Sequence, residues 1–389
     1  MESEDIYFEI RPYSDDEIGK VICRLFKDHE FLHAFGRYKL GNIFKFSPIL
    51  CRFIIRYILG RQFREVTNVA QMQAIIRDYM ERMIRSTTSE LSVSGLDELP
   101  RENSYLFISN HRDIAMDPAF LNYVLHRDNR DTARIAIGDN LLSKLWVSDI
   151  MRLNKSFIVK RSTGGPRELI SAMRLLSKYI NHSIVKDKSP VWLAQREGRA
   201  KDGIDKTEPA IIKMLDLSRD KKERMFSEHI AELSIVPVAI SYELDPCDDL
   251  KAKELYEIDR LGAYDKALDE DIISIGRGIS GQKGKVRLSF GKPIISDLSD
   301  STAVSQEIDR QIIEMYQLFP NNIVAHQLAY PNDKLPSDTS DSFSFSENDR
   351  RNFCQRIERL PIAHQKFAYH IYANPVRSRL EYIKNLALY

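Results

Sequence analysis

From Glu90 onward the chain repeats one pattern: a run of four to six mostly apolar residues, a polar break, then a longer amphipathic stretch. The runs are Leu91-Ser92-Val93-Ser94-Gly95, Tyr105-Leu106-Phe107-Ile108, Ala133-Arg134-Ile135-Ala136-Ile137, Ser156-Phe157-Ile158-Val159, Val191-Trp192-Leu193-Ala194 and Ile235-Val236-Pro237-Val238-Ala239-Ile240. Their length suits buried strands, and the stretches between them suit helices that cover a sheet. Strand, helix, strand is the order of an α/β domain, so the expected fold is a central, mostly parallel or mixed sheet flanked by helices. Helical additions are expected at both the N-terminal and the C-terminal side. Val286-Arg287-Leu288-Ser289-Phe290 reads as an edge strand, and Gly291-Lys292-Pro293-Ile294 as the turn that leaves it. In such sheets ligands bind just past the carboxyl ends of the strands, so polar residues there are the ones to inspect.

The run ending at Ile108 gives way to Ser109-Asn110-His111-Arg112-Asp113, and Asp117-Pro118 follows where Ala119-Phe120-Leu121 predict a helix. A histidine with a carboxylate in reach is the minimal unit of general-base catalysis, because the carboxylate fixes the ring tautomer and stabilises the imidazolium. From spacing alone, a helix cap or a loop histidine satisfied by its neighbours accounts for the same residues. Both Asp117 and Asp113 are within reach along the chain.

Two further strand ends carry polar clusters. Lys160-Arg161 is followed by Ser162-Thr163-Gly164-Gly165-Pro166, a loop that presents backbone N–H groups to a phosphate or simply caps the next helix. Gln195-Arg196-Glu197-Gly198-Arg199 follows Val191 to Ala194 and reads on its own as a surface ion pair beside a turn.

Together these blocks resemble the glycerolipid acyltransferases, the family of lysophosphatidate and glycerol-3-phosphate acyltransferases. His111 with Asp117 resembles their first motif, with five intervening residues where the family has four, which leaves Asp113 open as the alternative partner. Phe157 to Arg161 is similar to the second, Glu197-Gly198-Arg199 to the third with one residue missing, and Ile235 to Ile240 to the Pro-containing fourth. The resemblance implies transfer of a fatty acyl group from acyl-CoA or acyl carrier protein to a hydroxyl of a glycerol-3-phosphate or lysophospholipid-like acceptor, in phospholipid biosynthesis. It implies His111 as general base assisted by Asp117 or Asp113, and Arg161, Glu197, Gly198 and Arg199 around the acceptor phosphate. No cofactor beyond the acyl donor and no metal are implied. An amine acceptor, giving an amide-linked lipid, is the alternative within the enzyme class.

Net charge is only +1, but charge is segregated along the chain. Phe31 to Arg64 contains no Asp or Glu while carrying Arg37, Lys39, Lys45, Arg52, Arg56, Arg61 and Arg64. Within it Ile49, Leu50, Phe53, Ile54, Tyr57 and Ile58 recur at helical spacing. Such a helix is too short and too charged to span a bilayer, which takes about 20 apolar residues. It reads either as a core helix or as one lying on an anionic membrane surface, with Arg52, Phe53, Arg56 and Tyr57 in contact. A basic nucleic-acid binder without catalysis is the alternative of another class, but these aromatics form no stacking platform and no nucleic acid is expected as a partner.

The four cysteines have no paired spacing, so no zinc site or disulfide framework is expected. No basic-then-apolar leader opens the sequence, and a cytoplasmic protein peripheral to the cytoplasmic face of a membrane is expected. The expected layout is a helical region over 1–89, a catalytic domain over 90–300 and a packing helix over 301–330, then a linker over 331–346 and a basic helical tail over 347–389. The acidic stretch from Asp245 to Asp271 reads as a solvated helical excursion with no site role. The tail offers a second basic, apolar surface or a docked helix pair.

Overall fold

The structure is a computed structural model that describes residues 5–40, 47–142, 144–161, 164–267, 269–295, 298–333 and 344–386. In chain order its elements are α1 (Asp15–Leu25), α2 (His29–Leu40), α3 (Pro48–Gln62), α4 (Val69–Thr87), β1 (Thr88–Ser94), β2 (Leu106–Ser109), α5 (Met116–Arg127), β3 (Arg134–Gly138), α6 (Leu145–Leu153) and β4 (Ser156–Val159). There follow α7 (Pro166–Val185), β5 (Val191–Ala194), α8 (Pro209–Leu215), α9 (Phe226–Glu232), β6 (Ile235–Tyr242), α10 (Asp248–Leu261) and α11 (Glu270–Ser280). The last are β7 (Gly284–Phe290), α12 (Ser301–Met315), α13 (Pro320–Ala329), α14 (Glu347–Glu358) and α15 (Ile362–Leu386). The fold is α/β, as the alternation of apolar runs predicts.

The chain forms two compact units, and these do not follow the contiguous layout expected from the sequence: residues 134–179 group with 1–80, and 81–133 with 180–389. In the first unit, β3 and β4 pair in parallel, and the N-terminal segment adds to β4 through the Ile158 N–H and the Ile10 carbonyl at 2.9 Å. Its core is helical, with Ile18, Val21, Ile22 and Leu25 of α1 packed with Ile55 and Leu59 of α3. The buried stripe of α3 is Cys51, Ile55 and Leu59, at the i, i+4, i+8 spacing of one helix face. The residues singled out from sequence periodicity lie outside that stripe. Phe53 is 68 % and Tyr57 71 % exposed, and Ile49, Leu50, Ile54 and Ile58 are exposed with them.

In the second unit the strands run in the order β1-β7-β6-β2-β5. β2 is parallel to both β5 and β6, and β7 is antiparallel to β6 and parallel to β1. β7 is therefore not an edge strand, contrary to expectation. Its alternation of Val286, Leu288 and Phe290 with Lys285, Arg287 and Ser289 reports a half-buried face, which says nothing about how many neighbours the backbone has. β2 and β6 are buried at every position, which explains their unbroken apolar runs. Leu106, Ile108, Ile235, Val236 and Ile240 are fully buried, each stabilising the fold by about 1.5–3 kcal/mol of transfer free energy.

The acidic excursion is not simply solvated. α10 buries Asp248, Lys251, Ala252 and Glu254. The tail is a docked helix pair: Phe353 and Ile357 of α14 and Ile371 and Tyr372 of α15 form one apolar cluster with Val324 and Ala325 of α13 and Ala252 of α10. The Pro/Ser/Asp-rich linker lies largely outside the described residues.

Candidate active site

β2 ends by delivering Asn110 and His111 to the carboxyl edge of the sheet. Asn110 is fully buried and ties that edge together: its Oδ1 accepts from the Ile240 N–H at 2.8 Å, and its Nδ2 donates to the Ile240 carbonyl at 3.0 Å and to Asp205 at 3.2 Å. His111 comes next, its carbonyl accepting from the Ala200 N–H at 2.8 Å. The imidazole is mostly buried, with 13 % of the side chain exposed, and lies edge-on to Trp192 with centroids 5.8 Å apart. Trp192 is itself held by its Nε1–H donating to Ser109 Oγ at 2.9 Å.

Asp117, on the first turn of α5, meets the ring. His111 Nδ1 lies 2.9 Å from Asp117 Oδ2. A carboxylate only accepts, so Nδ1 carries the proton and Nε2 of the neutral ring keeps its lone pair. Asp117 Oδ2 also accepts from the backbone N–H groups of Arg112 at 2.7 Å and Asp113 at 2.9 Å, and Oδ1 accepts from the Tyr242 hydroxyl at 2.8 Å. The carboxylate is fully buried with four donors around it, the arrangement a buried anion requires.

Asp113 does something different. Its Oδ1 accepts from the N–H groups of Ala115 at 3.0 Å and Met116 at 2.9 Å, capping the start of α5. Burial, with the nearby charge of Asp117, pushes its carboxyl above the ordinary range. Gly278 of α11 packs directly on this carboxylate, and a Cβ there would collide with it. The loop between His111 and Asp117 thus carries an aspartate of its own that accepts from the first N–H groups of α5.

The loop is clamped from several directions. Arg112 is buried and pairs with Asp205 at 2.6 Å, donates to the Gly203 carbonyl at 3.1 Å and stacks over Tyr316 at 5.2 Å. Its own carbonyl accepts from Lys251 Nζ at 2.7 Å, and Lys251 also pairs with Asp245.

Gly198 adopts a left-handed φ of +73° in the turn after β5, and Arg199 reaches Ser274 Oγ of α11 at 3.4 Å. Glu197 is exposed beside it. The Ala200 N–H contact already described joins this turn to His111, so the Glu-Gly-Arg block and the histidine share one local structure. Arg161 belongs to the first unit, where its N–H donates to Asp139 Oδ2 at 3.1 Å and its guanidinium lies over Gly138. Of the loop expected to cradle a phosphate, Ser162 and Thr163 lie outside the described residues, and the Gly164 N–H donates to Glu168 Oε2 at 2.8 Å, a local helix cap.

Sequence reasoning missed Tyr242, Lys251, Asp205 and Ser274. Tyr242 ends an apolar strand, so the strand-end rule was able to reach it. Lys251 and Ser274 sit in helices with no local signal. No group of His, Cys, Asp and Glu side chains able to hold a metal ion occurs among the described residues.

Residues 90–241 match the family model described as Acyltransferase. Among curated relatives, dihydroxyacetone phosphate acyltransferase of Bos taurus is 22 % identical over 296 residues, covering 76 % of this chain and 38 % of that protein. Lyso-glycine lipid O-acyltransferase of Phocaeicola vulgatus is 24 % identical over 130 residues, 32 % of this chain and 46 % of that one. The chain therefore spans less than half the length of either relative. A crystal structure of the 1-acyl-sn-glycerophosphate acyltransferase PlsC from Thermotoga maritima aligns with a TM-score of 0.38 at 15 % identity, over 68 % of this chain and 88 % of that one. Residues 90–241 are thus similar to an acyltransferase domain.

Proposed function

We propose that the protein transfers a fatty acyl group from a thioester, acyl-CoA or acyl carrier protein, to a hydroxyl of a glycerol-phosphate-like or lysolipid acceptor. The observation that carries this is the His111–Asp117 pair at 2.9 Å, with the ring tautomer leaving Nε2 as the base. Nε2 takes the hydroxyl proton as the acceptor oxygen bonds to the thioester carbonyl carbon. Collapse of the tetrahedral intermediate breaks the C–S bond, and the imidazolium returns its proton to the leaving sulfur. Buried Asp117 stabilises the imidazolium between those steps.

Arg199, in the same unit as His111, is the residue we assign to the acceptor's phosphate, since a guanidinium fork matches phosphate oxygens. Both relatives named above are acyltransferases, and the bacterial name specifies an oxygen acceptor, which supports a hydroxyl over an amine. We further assign α3 to an anionic membrane surface. No helix among the described residues is long and apolar enough to cross a membrane, whereas α3 presents exposed Phe53 and Tyr57 with Arg56 and Arg61.

The test supplies purified protein with labelled acyl-CoA or acyl carrier protein and a panel of glycerol phosphate, dihydroxyacetone phosphate and lysolipid acceptors. His111→Ala is expected to lower turnover by about 10²–10⁴-fold with folding intact. Near wild-type turnover in that folded variant overturns the mechanism. Arg199→Ala raises KM for the acceptor and not for the thioester if it holds phosphate.

A further inference from the structure

The carboxylate of Asp117 has two oxygens with different neighbours. Oδ2 gathers His111 Nδ1 and the two backbone N–H groups, while Oδ1 faces the hydroxyl of Tyr242 at 2.8 Å. Both side chains are buried, so that hydroxyl supplies what solvent supplies to a carboxylate at a surface. The tyrosine has little freedom to leave. It is the last residue of β6, its backbone is in register with Val286 of β7, and its ring packs edge-on against Phe120 of α5 at 5.9 Å. One end of the ring is fixed by the sheet and its face by the helix that carries Asp117.

Resting on the His111 base proposed above, we infer that Tyr242 is a positioning residue for the transfer step: its hydroxyl holds Asp117 as an oriented anion, and through it holds the tautomer and angle of His111. The tyrosine touches neither substrate nor the reacting atoms. Burial, with the charges of Asp117 and Asp113, pushes its phenol well above the usual range, so it remains protonated and a donor at neutral pH. Without it, Oδ1 is a buried acceptor with no hydrogen-bond donor among the described residues. The carboxylate is then free to trade its hold on His111 for a compromise orientation. The loss falls on the chemical step and leaves ground-state binding alone.

Tyr242→Phe keeps the ring and its contact with Phe120 and removes only the donor. The expected result is a kcat lower by about 10- to 100-fold, with KM for both substrates unchanged and a cooperative melting transition retained. Because the phenol acts through Asp117, the same substitution in an Asp117→Asn background costs less than about threefold. In ¹H NMR, the His111 Nδ1–H resonance moves in Tyr242→Phe. Turnover within about threefold of wild type in the folded variant, an equal loss in both backgrounds, or an unmoved resonance overturns the inference. His111→Ala is measured alongside. If it retains turnover, the general-base proposal fails; if it is inactive while Tyr242→Phe is fully active, only the role of Tyr242 fails.

Discussion

Lys251 Nζ donates to the carbonyl oxygen of Arg112 at 2.7 Å, so a helix 139 residues along the chain supports the backbone next to His111. The ammonium is buried and paired with Asp245, and Asp245 lies beside the C-terminal helices: its N–H donates to the Tyr372 hydroxyl at 2.9 Å, and its carbonyl accepts from Arg356 at 2.9 Å. Burial alone would raise the Asp245 carboxyl, yet the charge and hydrogen bond of Lys251 hold it below the ordinary range. Lys251→Met removes the cation and leaves a buried anion and a buried carbonyl behind. A loss of about 3–5 kcal/mol in denaturant unfolding is expected, together with lower turnover in whatever fraction stays folded.

The two aspartates should separate cleanly. Asp117→Asn exchanges an anion for a neutral amide against His111 and is expected to lower kcat by about 10²–10⁴-fold. Asp113→Asn keeps an oxygen for the Ala115 and Met116 N–H groups while removing a buried charge, so turnover is expected to stay within about threefold of wild type. Steady-state kinetics of the two variants check the ranking, and the reverse order would reassign the pair.

Membrane binding is checked by sedimentation with anionic vesicles. Replacing Arg52, Arg56 and Arg61 with Glu reverses the charge of α3 beside exposed Phe53 and Tyr57, at about 1 kcal/mol for each basic residue lost near the surface. Release is expected, and the difference from wild type shrinks as salt rises and screens the attraction. Activity on a short-chain soluble acceptor persists. Unaltered binding would assign the exposed aromatics elsewhere.

Asp309 carries a pH dependence of its own. Burial pushes its carboxyl up to about 6, although its Oδ1 accepts from the Thr207 N–H at 2.7 Å. Because the folded value is raised, the folded state binds more protons between about pH 4 and 6, so this group's contribution is full below about pH 4 and lost as pH rises through 6. Asp309→Asn keeps the acceptor and removes the titration. Urea unfolding is expected to show the variant more stable than wild type at pH 7 by about 1–2 kcal/mol, with the gain disappearing near pH 4.

Much of this molecule is local in origin. β2, β4, β5 and β6 fall on the apolar runs because an unbroken run of buried side chains specifies a two-sided strand wherever it occurs. The His111 loop was visible because the polar break follows such a strand directly. Periodicity showed that α3 carries an apolar face of Phe53, Ile54, Tyr57 and Ile58 but did not show that this face is left exposed. The 3.6-residue period places Cys51, Ile55 and Leu59 on a stripe as well, and only the packing of α1 against α3 decides which stripe is covered.

The sequence by itself determined the α/β class, the strand positions and the presence of a histidine beside two aspartates. It did not decide between those aspartates, because both lie within a turn or so of His111 along the chain and differ only in where the loop points them. That choice is made by contacts remote in sequence. Tyr242 is 125 residues from Asp117, and Gly278 of α11 packs against Asp113. The place of β7 inside the sheet and the reach of Lys251 to Arg112 are likewise tertiary. Local propensity depends on neighbours within a few residues, whereas strand order and the burial of a charge depend on which distant elements close over it.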